Sequence, residues 1–208
     1  ADIATWLEQE VYRLGVDVRL STYAEADEVL AENPDAVIIS TGSLPRMDGI
    51  QNSNPGEPIS GVEAPNVFSS SDMLVQNRNW QGSSAVVLDD TGHYEAIGIA
   101  DLLVGEGADV TFVTPFPAFG HKVEDALQVE PALERMANAD GKLTILTRHR
   151  IKSIDDDKVE VAPTFDGPVF SVAGETVVLV TPNMPMRAMY DQLQDKVTSL
   201  VIVGDANS

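Results

Sequence analysis

The chain has 208 residues, 43% of them hydrophobic, with 33 acidic and 13 basic side chains and a formal net charge of −20. That balance argues against nucleic acid and anionic membrane as partners, because both require a basic face. No run approaches the roughly eighteen apolar residues of a membrane span, and the absence of cysteine excludes disulfide and thiolate chemistry from this sequence.

Apolar residues at Ile3, Leu7, Val11 and Leu14 have helical spacing, and Gly15 is a natural terminator. Val16–Leu20 alternates and predicts a strand. Glu25–Ala31 predicts a short helix, and Asp35–Ser40 a buried strand that runs into Thr41-Gly42-Ser43-Leu44-Pro45-Arg46. Residues 47–68, rich in Gly, Pro, Asn and Ser, read as an extended surface connection. A second unit begins near Trp80. Ser84–Leu88 predicts a buried strand, Glu95–Leu103 a helix and Val110–Thr114 a second strand. A helix is expected over Val123–Ala137 and a strand over Thr144–Thr147. Arg148–Val161 reads as strand, acidic turn (Asp155-Asp156-Asp157) and strand. Phe170–Val172 and Thr176–Thr181 are further strands, Met186–Leu193 a short helix, and Leu200–Val203 a last strand before Gly204-Asp205-Ala206.

Alternating strands and helices with near-continuous apolar strands predict an α/β fold with parallel sheets. The sequence starts inside a helical pattern and stops directly after a buried strand, so it reads as part of a longer polypeptide. Nothing near the amino terminus has the basic-then-apolar layout of a signal peptide, which with the lack of cysteine suits a cytoplasmic protein. Only five of the basic residues are lysines. A surface this acidic suits a salt-loving organism, a docking face for a basic partner, or an ordinary soluble acidic protein.

The strand–turn–helix–strand unit at 84–114 is the place for a G-x-G-x-x-G dinucleotide fingerprint. The three glycine positions are occupied by Asp89, Thr91 and Tyr94. Three readings of Asp89, Asp90, Thr91, Gly92, His93 and Tyr94 follow. In one the loop still binds NAD(P)H, against the repulsion of Asp89 and Asp90 for phosphates, with Tyr94 in the third glycine's space and Thr114-Pro115 where a ribose-reading residue would stand. In another, Asp89, Asp90, His93 and Glu95 hold a cation. The favoured reading is structural: the acids cap the helix amino terminus, and His93 and Tyr94 serve packing or an interface. His121 and His149 are isolated and read as surface or boundary residues, and Trp6 and Trp80 as packing residues. No nucleophile elbow, P-loop or Ser/His/Asp spacing is present.

Asp35–Arg46 resembles the A-T-G-x-x-P-R segment of two-dinucleotide-domain flavoprotein reductases, and Val201–Ala206 resembles their terminal G-D motif near the flavin ribityl chain. Asp89–Ala96 resembles the corresponding loop in the carboxy-terminal region of the NADH:flavin oxidoreductase, trimethylamine dehydrogenase and 2,4-dienoyl-CoA reductase family. The resemblance covers nearly the whole chain. It implies a Rossmann-like fold: a partial FAD/ADP-binding-like domain at 1–79 and 183–208, with an inserted NAD(P)-binding-like domain at 80–182.

It also implies Thr41, Gly42, Ser43, Arg46, Gly204, Asp205 and Ala206 as cofactor-binding residues, with ADP or FAD as the group held. FMN and a 4Fe–4S cluster are implied only for an amino-terminal barrel that this sequence lacks, and no catalytic residue or metal ligand can be carried onto it. The favoured expectation is a non-catalytic part of such an oxidoreductase, of the branch that oxidises methylated amines. Its expected partners are the barrel, a separate electron-transfer protein and a second copy of itself. The alternatives are a working NAD(P)H-binding domain and an acidic protein-interaction module.

Overall fold

The computed structural model describes residues 2–76 and 78–207. In chain order the elements are α1 (Ile3–Arg13), α2 (Ala26–Ala31), β1 (Val37–Ile39), β2 (Ser43–Leu44), β3 (Val67–Ser69), α3 (Ser70–Leu74), β4 (Ser84–Asp89), α4 (Tyr94–Gly105) and β5 (Asp109–Thr114). They continue as α5 (Val129–Ala137), β6 (Lys142–Thr147), β7 (His149–Ile154), β8 (Lys158–Pro163), β9 (Phe170–Ala173), β10 (Thr176–Val180), β11 (Met184–Pro185), α6 (Ala188–Leu193) and β12 (Leu200–Ile202). The chain forms two compact units, residues 1–42 with 185–208, and residues 43–184. The fold is the expected Rossmann-like α/β type, one unit inserted into the other.

The larger unit is built on a parallel sheet in the order β3-β10-β4-β5-β6. Its strands are apolar on both sides because both faces are covered. On one face Val87, Phe112, Val178 and Val180 pack against Ile97, Ala100, Leu103 and Val104 of α4 and Ala132 and Met136 of α5. On the other, Val86, Leu88, Val177 and Leu179 meet Ile151, Ile154, Val159 and Val161. The last four belong to an antiparallel sheet in the order β7-β8-β9. Burying valines, leucines and isoleucines on this scale, about 1.5–3 kcal/mol for each side chain, holds the three layers together.

In the smaller unit β1 and β12 pair in parallel, Ile38 opposite Val201. Ile39 packs with Leu193 of α6 and Ala26 of α2 on one face. The alternation leaves Ile38 and Val201 exposed on the opposite face.

Several expectations are corrected. Val16–Leu20 is not a strand: it is coil, exposed apart from the half-buried Val18, and Arg19 pairs with Asp17 and Glu32 there. Alternation alone cannot make a strand without a neighbouring ladder. Residues 47–68 are not a surface connection throughout. Gln51 and Ile59 are buried, and the segment ends in β3, which is hydrogen-bonded to β10. For that reason the units divide at 42/43 and not at the expected 79/80. The helix expected over Val123–Ala137 is interrupted: a 3-10 turn at Glu124–Ala126 ends on Leu127 at φ +56°, and α5 starts at Val129. Trp80 is buried as expected, whereas Trp6 is half-exposed. Among the described residues no helix is long and apolar enough to cross a membrane.

Candidate functional site

The loop after β4 stands at the carboxy-terminal edge of the parallel sheet, where open α/β sheets take their ligands. β4 is central and apolar from Ala85 to Leu88, and it ends on Asp89, which together with Asp90 is buried. Asp89 Oδ1 accepts the backbone N–H of Gly92 at 2.7 Å and that of Thr91 at 3.3 Å, and the Thr91 hydroxyl at 3.2 Å. Its Oδ2 lies 3.2 Å from the Thr114 hydroxyl at the end of β5. A phosphate turn presents such loop amides to its ligand. Here an internal carboxylate takes them.

This corrects the expected capping role. The acids do not cap α4: its N-cap residue is His93, which makes no side-chain cap bond, and Asp89 instead ties down the turn before it. Gly92 has φ +73°, and a side chain there would meet the Phe116 ring at 3.1 Å and the Lys122 stem at 3.3 Å. The protein's own segment therefore covers the loop. Tyr94 does not fill the third glycine's space. It is 48% exposed, beside an exposed His93. Among the described residues no three carboxylate or imidazole groups gather to hold a metal ion, so Asp89, Asp90, His93 and Glu95 form no such cluster.

Asp90 faces a different partner. Its N–H donates to Val180 at 2.9 Å, and its Oδ2 accepts the N–H of Asn52 at 2.6 Å. Burial, with the Asp89 charge adding to it, pushes the Asp90 carboxyl up to about 6; the Asn52 and Ser53 amides and Lys122 oppose the rise. Burial also raises Asp89, against its bonds to Gly92, Thr114 and Thr91. Gln51 is fully buried, and its amide pairs with both backbone groups of Ile151, at 2.7 and 3.0 Å. Sequence reasoning missed Gln51 and Asn52, which lay in a polar stretch with no periodic signal.

In the smaller unit the structure brings together two motifs far apart in sequence. Thr41-Gly42 follows β1 and Gly204-Asp205-Ala206 follows β12, and β1 and β12 are neighbours in register. Val203 N–H donates to Ile39 O at 2.9 Å, which continues the pairing to the strand ends. Gly42 has φ +73° and Gly204 φ +63°, and a side chain at either would meet nothing within 4 Å. These glycines are required by the turn conformation and leave open space beside the backbone. The Thr41 hydroxyl donates to the carbonyl of Met186. Gly204 and Asp205 are exposed, and Ala206 is buried in a 3-10 turn. A cleft of about 490 Å³ adjoins Thr41, with Tyr23, Glu25, Asp27, Met189 and Lys196 in its wall. Ser43 and Arg46 lie in the larger unit, where the Arg46 side chain pairs with Asp48 at 3.3 Å and its carbonyl accepts the Thr181 hydroxyl at 2.9 Å.

His149 is half-buried, with Nδ1 2.6 Å from the Thr147 carbonyl, and the exposed His121 stacks on Phe116. The Asp155–Asp157 run is an exposed turn. α3 was not expected, although its signal was readable: Ser69 and Asp72 form a reciprocal capping box.

No family model matches the chain. Among curated proteins it is 31% identical over 202 residues to "Bilirubin reductase" of Mediterraneibacter gnavus, covering 97% of this chain and 29% of that protein. It is 27% identical over 194 residues to "Probable N-methylproline demethylase" of Rhizobium meliloti, covering 92% and 27%. Among solved structures, the 6-hydroxypseudooxynicotine amine oxidase of Pseudomonas geniculata N1 superposes with a TM-score of 0.82 at 29% identity, over 98% of this chain and 32% of that one. The chain thus spans under a third of the length of the curated relatives it matches.

Proposed function

The chain belongs to the NADH:flavin oxidoreductase and trimethylamine dehydrogenase family, whose carboxy-terminal region it matches, and we propose that it is a non-catalytic part of a flavin-dependent oxidoreductase. Its own role in this reading is structural or adenine-nucleotide-binding, in the smaller unit. The larger unit is a dinucleotide-type fold that takes no nicotinamide. The observation that carries the proposal is the Asp89 carboxylate lying on the amides of Thr91 and Gly92. A pyrophosphate brought to that turn would meet a buried carboxylate pair in place of free donors.

Flavin belongs to the chemistry of this family. ADP or FAD fits the smaller unit: the two glycine turns leave open space at neighbouring strand ends, and the exposed Asp205 carboxylate can accept a sugar hydroxyl. FMN and an iron–sulfur cluster belong in this reading to an amino-terminal barrel, and the chain, having no cysteine, offers the cluster no thiolate. In the whole protein a small amine is the electron donor and a separate electron-transfer protein the acceptor. The barrel and a second copy of the chain are its other partners.

Calorimetric titration of the purified chain with ADP, FAD, NADH and NADPH tests the reading. Binding of ADP or FAD without nicotinamide supports it. Saturable NADH or NADPH binding overturns it in favour of a working nicotinamide domain. Silence for ADP and FAD removes the nucleotide role and leaves the structural one.

A further inference from the structure

Two buried carboxylates stand side by side at the end of β4, and they differ in how their oxygens are satisfied. Both oxygens of Asp89 have partners. Asp90 is 1% exposed, and its Oδ1 is buried without a hydrogen-bond partner. Over Asp90 runs the segment 46–54, fastened at three places. The Thr181 hydroxyl holds the Arg46 carbonyl, the Gln51 amide pairs with Ile151, and Asn52 pairs with Asp90 twice, through its backbone N–H at 2.6 Å and its side-chain amide at 3.3 Å. The first two fastenings are neutral groups that do not titrate. The third has one titratable half: the Asp90 carboxyl group holds the Asn52 backbone N–H, and the Asp90 backbone carbonyl holds the Asn52 side-chain amide.

We propose that residues 52–54 form a pH-set latch over the carboxy-terminal edge of the parallel sheet, closed while Asp90 holds its proton and released as Asp90 ionises, with Gln51 staying anchored on Ile151. The charged groups facing Asp90 are Asp89 on its own strand and Lys122 from the segment after β5; the covering segment contributes the N–H groups of Asn52 and Ser53, and β10 the Val180 carbonyl. The Asn52 bond by itself favours the ionised form. Burial beside Asp89 outweighs it, and the Asp90 carboxyl is held up at about 6. A second negative charge sealed next to Asp89, with one oxygen undonated, is relieved when the segment lifts and water reaches it.

Amide hydrogen exchange on the full chain at pH 5 and pH 8, corrected for intrinsic rates, tests this. The protection of Asn52 should fall by roughly tenfold or more, the factor that a carboxyl group raised by more than one unit can supply. The amide of Val113, in the centre of the sheet, should keep its protection. In D90N the protection of Asn52 should no longer depend on pH. In the unsubstituted chain, the carboxyl carbon of Asp90 should titrate with the midpoint at which Asn52 loses protection. Equal protection of Asn52 at both pH values overturns the proposal, as does a parallel loss at Val113, an unchanged pH response in D90N, or a carboxyl titration that does not coincide. The outcome is independent of whether any nucleotide binds.

Discussion

The Asp89 carboxylate accepts the backbone N–H of Gly92 at 2.7 Å, so the turn after β4 carries its own anion. A glycine at position 89 would leave the amides of Thr91 and Gly92 free for a phosphate. In the proposed reading the turn's own carboxylate stands where a phosphate would, and the fold around it is kept.

It follows that the unsubstituted chain should show no saturable NADH response by fluorescence or calorimetry. Asp89→Gly combined with Thr91→Gly should gain measurable NADH binding, since both substitutions free the turn. Saturable NADH binding to the unsubstituted chain would sink this account of the loop.

Asp89→Ala should lower stability, because it orphans the backbone N–H groups of Thr91 and Gly92, while the Thr114 hydroxyl keeps the Asp89 carbonyl at 3.1 Å. Buried donors left without partners cost about 1–3 kcal/mol. Urea denaturation at constant pH measures this, and a change below a few tenths would contradict the buried geometry.

Asp90→Asn should alter the pH dependence of stability. The folded carboxyl sits at about 6, above its unfolded value near 3.8. A raised group contributes stability that is fully present below the unfolded value and lost as pH rises through the folded one. The unsubstituted chain should therefore lose on the order of 2 kcal/mol from this group between about pH 4 and pH 7. The variant should lack that slope, so its Tm advantage should be larger at pH 7.5 than at pH 5.

Gln51→Ala should be among the most damaging changes outside the hydrophobic core. It leaves the N–H and carbonyl of Ile151 without their Gln51 partner in a fully buried position and opens a cavity there. A loss of about 2–4 kcal/mol is expected. Gln51→Glu, which keeps the shape but not the donor, should be nearly as harmful.

Gly42→Ala and Gly204→Ala should each cost about 1 kcal/mol, because both positions have positive φ while a methyl group would meet no neighbour. If ADP or FAD lies against these turns, its affinity should fall by more than this stability loss explains, which titration of the two variants measures.

The parallel strands were legible because β4 and β10 are apolar on both faces, a pattern with few alternatives at that length. The turn at 89–94 was legible as a place, from the missing glycines, but not as a geometry. Whether an aspartate caps a helix or folds back on its own turn depends on backbone angles that composition does not show. Asn52 and Gln51 were invisible for a related reason. Each works through a partner far along the chain, Asp90 or Ile151, and neither lies on a periodic element. Val16–Leu20 failed in the opposite sense, with a strand's alternation but no ladder to join.

The pairing of β1 with β12 joins residues more than 160 positions apart, such as Ile38 and Val201. Closing a flexible loop of that length before anything inside it has folded carries a large entropic cost. The intervening 142 residues form a unit with its own core. Once that unit has folded, the two ends are already tethered at a short separation. The smaller sheet is therefore expected to assemble last, as the slow, non-local step in refolding. Any lesion that delays the inserted unit should delay the pairing of the two glycine turns as well, even when it touches neither of them.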